Sequence, residues 1–189
     1  MISTADFRNG IVIVYKDNLM ELVEFQHVKP GKGPAFVRTK LKNVLTGRTL
    51  ENTFRSGEKM EEVRLNEETY QYLYNDGDLY HFMHNETYEQ IEVGAGVVGD
   101  KKDYLKENAN VTLLFHGDNP IVLNLPNTIV LQITKCDPGL QGDRSSGGTK
   151  PATLETGRTV NVPLFINEGE FIKVDTRTND YLERGSETD

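Results

Sequence analysis

The sequence predicts an all-β chain built as three small β-barrels in series. Apolar residues fall into many short runs, turn-forming glycine, proline and asparagine separate these runs, and a helical pattern occurs only in one short stretch. With 189 residues, a hydrophobic fraction of 37% and no tryptophan, the chain favours several small cores over one large core. Barrels of about 60 residues place the domains at 1–64, 65–128 and 129–189.

Two tight hairpins organise the predicted strands. Lys16-Asp17-Asn18 separates the apolar runs 11–15 and 19–25, and Asn75-Asp76-Gly77 separates two tyrosine-rich runs. A short helix is expected at 100–108, where charged and apolar residues mix without turn signals. The other expected strands are 35–41, 60–65, 69–74, 78–83, 87–93, 111–116, 121–125, 129–135, 160–165 and 171–175.

The formal net charge of −8 is unevenly distributed along the chain. Residues 1–64 carry 11 basic and 8 acidic side chains, residues 65–128 carry 3 and 11, and residues 129–189 carry 7 and 10. The stretch 26–50 is basic and contains no acid, which indicates an anionic partner met at one place, although a single solvated strand face gives the same pattern. Its six basic residues are Lys29, Lys32, Arg38, Lys40, Lys42 and Arg48.

The sharpest local motif is Lys29-Pro30-Gly31-Lys32-Gly33-Pro34, between two predicted strands. Proline fixes φ and glycine admits positive φ, so the chain turns tightly and leaves Lys32 as the only long side chain at the tip. In the following strand, 35–41, basic and apolar residues alternate and place Arg38 and Lys40 on one face. Such a tip could enter a narrow binding site that has room for little more than one amine. The same motif also fits an ordinary hairpin turn with a solvated lysine.

A dinucleotide-binding pattern, Gly94-Ala95-Gly96-Val97-Val98-Gly99, must be weighed against its context. The pattern requires a buried parallel strand before it and an apolar-faced helix after it. Residues 87–93 are polar and alternating, residues 100–107 are highly charged, and no other βα repeat occurs. These neighbours disfavour a nucleotide-dependent oxidoreductase.

The remaining reactive residue types favour a binding protein over an enzyme. Cys136, the lone cysteine, fits a semi-buried thiol on a strand better than a catalytic nucleophile. His81 and His84 lie three positions apart on a strand, so they point to opposite faces and no metal site is expected. No cofactor is expected either. The N-terminus has no basic segment typical of a signal peptide, and no apolar run approaches the ~20 residues of a membrane span, so a cytoplasmic location is expected.

A long motif in the last third of the chain carries a family resemblance. Residues 150–169 match the pattern Lys-x-Ala, four residues, Gly, two residues, aliphatic-x-Val-Pro, two residues, aliphatic, two residues, Gly at every fixed position. This pattern resembles the signature of the elongation factor P family. Residues 30–37, 56–59, 70–74 and 172–178 are similar to other parts of the family.

The resemblance implies a fold and a function. The expected fold is an SH3-like (KOW-like) N-terminal barrel with a lysine loop, an acidic central OB-fold and a C-terminal OB-fold, arranged as an L similar to transfer RNA (tRNA). The expected function is that of a translation elongation factor that needs no catalytic residues. It would bind the ribosome between the peptidyl and exit tRNA sites, where Lys32 would reach the acceptor end of peptidyl-tRNA and relieve stalling at consecutive prolines.

The resemblance also implies site residues and partners. The partners are the ribosome, ribosomal RNA, peptidyl-tRNA, messenger RNA at the exit-site codon and a lysine-modifying enzyme, and a monomer is expected. Lys32 would be the functional lysine, either unmodified or carrying an added β-lysine or aminopentanol group. Pro34 is a departure from the loop sequence of the family. The loop tip is Pro30, Gly31, Gly33 and Pro34. The RNA-binding residues are Lys29, Arg38, Lys40 and Lys42 near the tip and Gly142, Asp143, Arg144, Ser145, Ser146, Gly147 and Gly148 in a third-domain loop.

Two alternatives stay open beside this reading. One is a close paralogue, the elongation-factor-P-like protein. The related initiation factor 5A has only two such domains, so the third segment of this chain argues against it. The other is a stand-alone OB-fold protein that binds single-stranded nucleic acid. That class needs aromatic platforms beside basic grooves, and here the tyrosines concentrate in the acidic segment 65–128.

We expect the third-domain loop, residues 142–148, to contact RNA. Its glycines let the backbone approach closely, and Arg144 can pair with a phosphate or stack on a base. Deleting residues 142–148 should weaken ribosome binding and rescue of proline-stalled ribosomes while the fold stays intact. Sedimentation with ribosomes and a triple-proline translation assay measure these effects. Unchanged binding and rescue would make the segment an ordinary surface loop.

Overall fold

The computed structural model describes residues 1–138 and 148–186, and within these ranges the chain is mostly β. Three five-stranded sheets follow one another along the sequence, with a two-stranded ribbon beside the first. By its contacts the chain divides into two compact units, one of Met1–Glu67 with Leu114–Val122 and the other of the remaining residues. The expected all-β class is confirmed, and the domain boundaries near 64 and 128 stay a prediction.

The first sheet has the strand order β5-β4-β3-β2-β7, and each of its pairs is antiparallel. The predicted turn at Lys16 and Asp17 is confirmed, since both residues have positive φ (49° and 60°), as a two-residue turn between β2 and β3 requires. The strands are β1 (Ile2–Ser3), β2 (Val12–Tyr15), β3 (Asn18–Val28), β4 (Phe36–Asn43), β5 (Thr49–Arg55), β6 (Lys59–Met60) and β7 (Glu62–Val63), with β1 and β6 forming the ribbon.

The second sheet has the order β10-β9-β8-β11-β12. Its predicted hairpin is confirmed: Asn75 pairs with Tyr80, and the Asp76 carboxylate accepts the backbone N–H groups of Asp78 and Leu79. Gly77 takes a φ of 114°, which glycine adopts without strain. The strands are β8 (Asn66–Asn75), β9 (Leu79–His84), β10 (Gln90–Gly94), β11 (Asn110–His116) and β12 (Asn119–Asn124).

The third sheet has the order β15-β14-β13-β16-β17, again antiparallel throughout. In its strands 149–154, 159–163 and 171–175, buried and accessible residues alternate, so one face of each of these three strands supplies the core. The strands are β13 (Thr128–Cys136), β14 (Thr149–Leu154), β15 (Thr159–Pro163), β16 (Phe171–Asp175) and β17 (Asp180–Arg184).

Each unit has its own buried cluster, as the composition predicted. The cluster of the first sheet consists of Phe7, Ile11, Ile13, Met20, Leu22, Val37, Leu41, Phe54 and Met60. The cluster of the third sheet consists of Tyr104, Leu131, Ile133, Ala152, Leu154, Val160, Val162, Ile166, Ile172 and Val174. Burial of these apolar side chains supplies the main driving force for folding.

Three expectations about elements were wrong. In place of the helix expected at 100–108, the structure has a four-residue α-helix, Ala95–Val98, followed by a 3₁₀ turn, Gly99–Tyr104, and the ends of these two elements, Val98 and Tyr104, are buried. The single strand expected at 60–65 is split between β6 and β7. No strand was expected between 135 and 160, yet Thr149–Leu154 forms a strand that pairs with residues 159–163.

A polar network in the second unit joins the 3₁₀ turn to the third sheet. The Tyr104 hydroxyl donates to Asn179 Oδ1 at 2.6 Å, and Arg158 Nε donates to the same oxygen at 2.9 Å. The Arg158 guanidinium lies 4.6 Å from the centre of the Tyr104 ring and forms an ion pair with Asp103 at 3.2 Å. Burial raises the pKa of Tyr104, so the hydroxyl keeps its proton and its donor role.

We expect Tyr104→Phe to lower the free energy of unfolding by about 0.5–1.5 kcal/mol, the usual worth of one hydrogen bond. Asn179 keeps a donor from Arg158, so no buried acceptor is orphaned and the loss stays small. Tyr104 is 3% exposed and Tyr88 is 70% exposed, so Tyr88→Phe is the matched control. Chemical denaturation measures both variants, and equal stabilities would contradict a role for the network.

Candidate functional site

The lysine loop, residues 29–35, connects β3 to β4 at one end of the first sheet. Pairing between the two strands ends at Val28 and Phe36, and the Ser56 N–H donates to the Ala35 carbonyl at 3.1 Å, which ties the base of the loop to the end of β5. Gly33 has a φ of 112°, a conformation that residues with a Cβ rarely adopt. The tip therefore depends on glycine at this position.

Lys32 lies exposed at the tip of this loop, flanked by the exposed Gly31 and Gly33. Among residues 1–138 and 148–186, its ammonium makes no hydrogen bond or ion pair. Pro30 is half-buried and Pro34 is exposed, so rigid residues bracket the tip. The geometry agrees with an amine held away from the sheet, and the functional role of Lys32 stays a prediction.

The outer face of the first sheet continues from the loop along β4. Val37, Thr39 and Leu41 point inward and are buried, so Arg38 and Lys42 are exposed on the opposite face, as the alternation predicted. Because directly paired residues of an antiparallel sheet lie on the same face, the register defines which side chains surround each cation.

The register brings acids beside part of the basic stretch. Lys40 is paired with Glu24 on β3 and with Glu51 on β5, and Lys42 is paired with Glu21. The stretch 26–50, acid-free in sequence, is therefore not acid-free on the surface. Arg38 is the exception, because its paired neighbours are the neutral Gln26 and Thr53.

Sequence reasoning missed Arg55, which lies beside the loop. Arg55 ends β5 directly opposite Phe36, the first residue of β4, and its side chain is exposed. The strand at 49–55 was not among those predicted, so its register with β4 was not available. Within 49–55 only Leu50 and Phe54 are apolar, so alternation of polar and apolar residues indicates this strand only weakly.

The third-domain site falls largely outside the described residues, which is true of Gly142, Asp143, Arg144, Ser145, Ser146 and Gly147. Gly148 is described and lies against Leu164, since a Cβ at Gly148 would come within 3.1 Å of Leu164 Cδ1. Lys150, the first residue of the signature motif, is 5% exposed, and its ammonium donates to the Asp137 carbonyl at 2.7 Å. This contact fixes the two described ends of the loop next to each other.

The two histidines of β9 lie next to different acidic side chains. His81 Nε2 lies 2.9 Å from Asp76 Oδ2, and the His81 ring stacks on Tyr74. His84 Nε2 lies 3.9 Å from Glu68 Oε2. In the described part of the chain, no group of three or more His, Cys, Asp or Glu side chains is placed to hold a metal ion. Within the same residues, no helix is long and apolar enough to cross a membrane.

Three family models match successive parts of the chain. Residues 3–60 match the elongation factor P KOW-like domain, residues 65–123 match the elongation factor P OB domain, and residues 129–184 match the C-terminal domain of elongation factor P. The KOW-like and OB classes agree with the expected N-terminal and central folds.

Curated relatives are similar over nearly the full length. Elongation factor P of Kocuria rhizophila is 52% identical over 187 residues, which is 99% of this chain and 100% of the relative. Elongation factor P of Rhodococcus erythropolis is 53% identical over 184 residues, which is 97% of this chain and 98% of the relative. Among solved structures, a translation initiation factor eif-5a family protein from Naegleria fowleri has a TM-score of 0.51 and 17% identity, covering 66% of this chain and 96% of that chain, and it shows the fold alone.

The cross-strand neighbours predict how much each basic side chain of the outer face contributes to RNA affinity. We expect Arg38→Gln to lower the affinity for a labelled single-stranded RNA more than Lys40→Gln does, because Glu24 and Glu51 already offset the charge of Lys40. Fluorescence anisotropy at two salt concentrations measures the affinities, and Arg38→Gln should also flatten the salt dependence. Equal losses for the two variants would show that the register does not matter.

Proposed function

Because this chain belongs to the elongation factor P family, it is a translation elongation factor, and we propose that it binds the ribosome between the peptidyl and exit tRNA sites. There it promotes peptide-bond formation and relieves stalling at consecutive prolines. Lys32 lies at the acceptor end of peptidyl-tRNA and is the residue on which this activity depends. The protein works in the cytoplasm, where ribosomes translate.

One observation carries this proposal: Lys32 is the only long side chain at the tip of an exposed, proline-bracketed loop. A narrow tip reaches into a confined space where a broad surface cannot. An ammonium is a compact, strongly hydrated point charge with three donors, and it suits the anionic backbone of an RNA acceptor end. The side chain has no competing partner within the described chain that it would have to release.

The mechanism is positional. Holding a reacting group in its productive geometry replaces a costly search through orientations, and it lowers the barrier without a nucleophile or base from the factor. Lys32 orients the acceptor end, and the ribosome carries out the bond-forming step. The protein therefore acts as a non-enzymatic factor that needs no cofactor.

The other cations contribute affinity rather than the rescue step. Lys29, Arg38, Lys40 and Lys42 contact phosphates of tRNA or ribosomal RNA, contacts that position the factor and weaken with salt. Residues 65–128, with a net charge of −8, avoid misplaced RNA contacts and suit a basic ribosomal protein. The third-domain loop meets messenger RNA at the exit-site codon.

Lys32 is also the site at which a modifying enzyme would act. Its amine is exposed, so an enzyme that lengthens the side chain by acylation or alkylation can reach it. Pro34 stiffens the loop on one side and adds a feature that such an enzyme must accommodate. Intact mass spectrometry of the protein from its native host measures the added group directly.

We expect Lys32→Ala to abolish rescue of ribosomes stalled on a triple-proline template while changing the free energy of unfolding by no more than ~0.5 kcal/mol, because the side chain is exposed. Lys32→Arg should also rescue poorly, since the planar guanidinium needs more room and is not an amine that an enzyme can acylate. Translation in vitro at saturating factor measures both variants.

Lys102→Ala is the control, because Lys102 is an exposed lysine outside the loop and its loss removes the same charge. It should rescue like the wild type. Rescue by Lys32→Ala at the wild-type rate would remove Lys32 from the centre of the mechanism.

A further inference from the structure

Two arginines flank an aromatic ring on the outer face, immediately below the lysine loop. Phe36 begins β4, Arg55 lies directly opposite it on β5, and Arg38 follows two positions later on the same face. The Arg38 guanidinium lies 5.6 Å from the centre of the Phe36 ring. Arg55 and Arg38 are diagonal neighbours, and the Cα atoms of such pairs are about 7–8 Å apart, so one segment of a ligand can touch both.

Neither guanidinium is neutralised by an acid among residues 1–138 and 148–186. The acid nearest in sequence to Arg55 is Glu58, whose Oε2 accepts the backbone N–H of Arg55 at 2.9 Å rather than its side chain. The pair Glu24 and Glu51 flanks the next position along β4, which is Lys40. By the same register, Glu24 and Glu51 are diagonal neighbours of Arg38 on the side away from the loop, whereas no acid on β4 is paired with or diagonal to Arg55. The acid-free part of this face therefore lies next to the loop, around Phe36 and Arg55.

These observations define a ligand chemistry. A guanidinium presents five N–H donors in a planar fork that matches the oxygens of a phosphate, and stacking on an aromatic ring keeps that fork oriented. We propose that Arg38 and Arg55, on either side of Phe36, form a binding site for the phosphate backbone of a single RNA strand. The proposal rests on the proposed function, in which the adjoining loop lies at the acceptor end of tRNA.

Within this site Arg55 is a phosphate-binding residue and Phe36 is a positioning residue. Arg55 binds directly, because its side chain is exposed at the end of β5. Phe36 acts through Arg38, since its ring limits the orientations of that guanidinium before the RNA arrives and so reduces the entropy lost on binding.

The chain offers a matched control for Arg55. Arg48 is an exposed arginine that directly precedes β5, whereas Arg55 ends the same strand, so the two lie at opposite ends of the sheet. Arg55→Gln and Arg48→Gln remove the same charge and the same side chain. Any effect of net charge alone is therefore common to both variants.

The test is equilibrium binding of the full chain to ribosomes that carry peptidyl-tRNA, measured at several salt concentrations. Arg55→Gln should weaken binding about five- to tenfold, as expected for one lost charge-assisted contact, and should lower the slope of log affinity against log salt by about 0.7. Arg48→Gln should change the affinity less than twofold. Equal effects of the two variants would overturn the site.

A double-mutant cycle tests Phe36. Phe36→Leu should weaken binding two- to threefold, and Arg38→Gln should cost less in the Phe36→Leu background than in the wild type, because the ring acts through that arginine. Additive losses would remove the positioning role. Thermal unfolding of each variant shows that the fold is retained.

A kinetic measurement distinguishes failure of the arginine site from failure of the proposed function. In the triple-proline assay, Arg55→Gln should raise the half-saturating factor concentration and leave the maximal rate unchanged, whereas Lys32→Ala lowers the maximal rate. If the wild type accelerates nothing, the proposed function fails, and the binding comparison still decides the arginine site. A lower maximal rate for Arg55→Gln would contradict a role in affinity alone.

Discussion

The antiparallel pairing of β3 with β4 is the constraint on which the lysine loop and the outer face beside it depend. Leu22 and Leu41, both fully buried, face each other across these strands and favour this pairing, since a slip of one residue in either strand would turn its leucine out of the core. A β-bulge after Leu22 shifts the pairing by one residue, and the shifted register runs from Glu24 opposite Lys40 to Val28 opposite Phe36, so the chain must turn within residues 29–35. The position of the loop thus follows from this core contact together with the bulge that lies between it and the loop.

This register also decides the electrostatics of the outer face. Each cation of β4 takes its neighbours from β3 and β5, which come from other parts of the sequence. Lys40 is directly paired with two acids in this way, whereas Arg38 is directly paired with none and has the same two acids only as diagonal neighbours. The basic surface that results is smaller than the basic stretch of the sequence, and it is concentrated next to the loop, where Arg55 enlarges it.

Residues that resemble a nucleotide motif serve the structure of the second unit instead. Val98, within the glycine-rich stretch, is buried, and the 3₁₀ turn that follows ends at Tyr104, which packs in the cluster of the third sheet. Arg158, in the signature motif, lies over the ring of this tyrosine, and Asn179, directly before β17, accepts a hydrogen bond from its hydroxyl. Packing of the turn, rather than phosphate binding, accounts for the local sequence.

The sequence by itself determined the all-β class, both tight hairpins and the isolated lysine at a glycine-proline tip, because these depend on alternation and on local turn chemistry. It misplaced the helix near residue 100 and missed the strand at 49–55, because packing against distant residues decides those elements. The sequence also could not predict which side chains lie next to Arg38, Lys40 and Arg55. They are set by strand register, and register is chosen by burial of whole faces in the core rather than by any local motif.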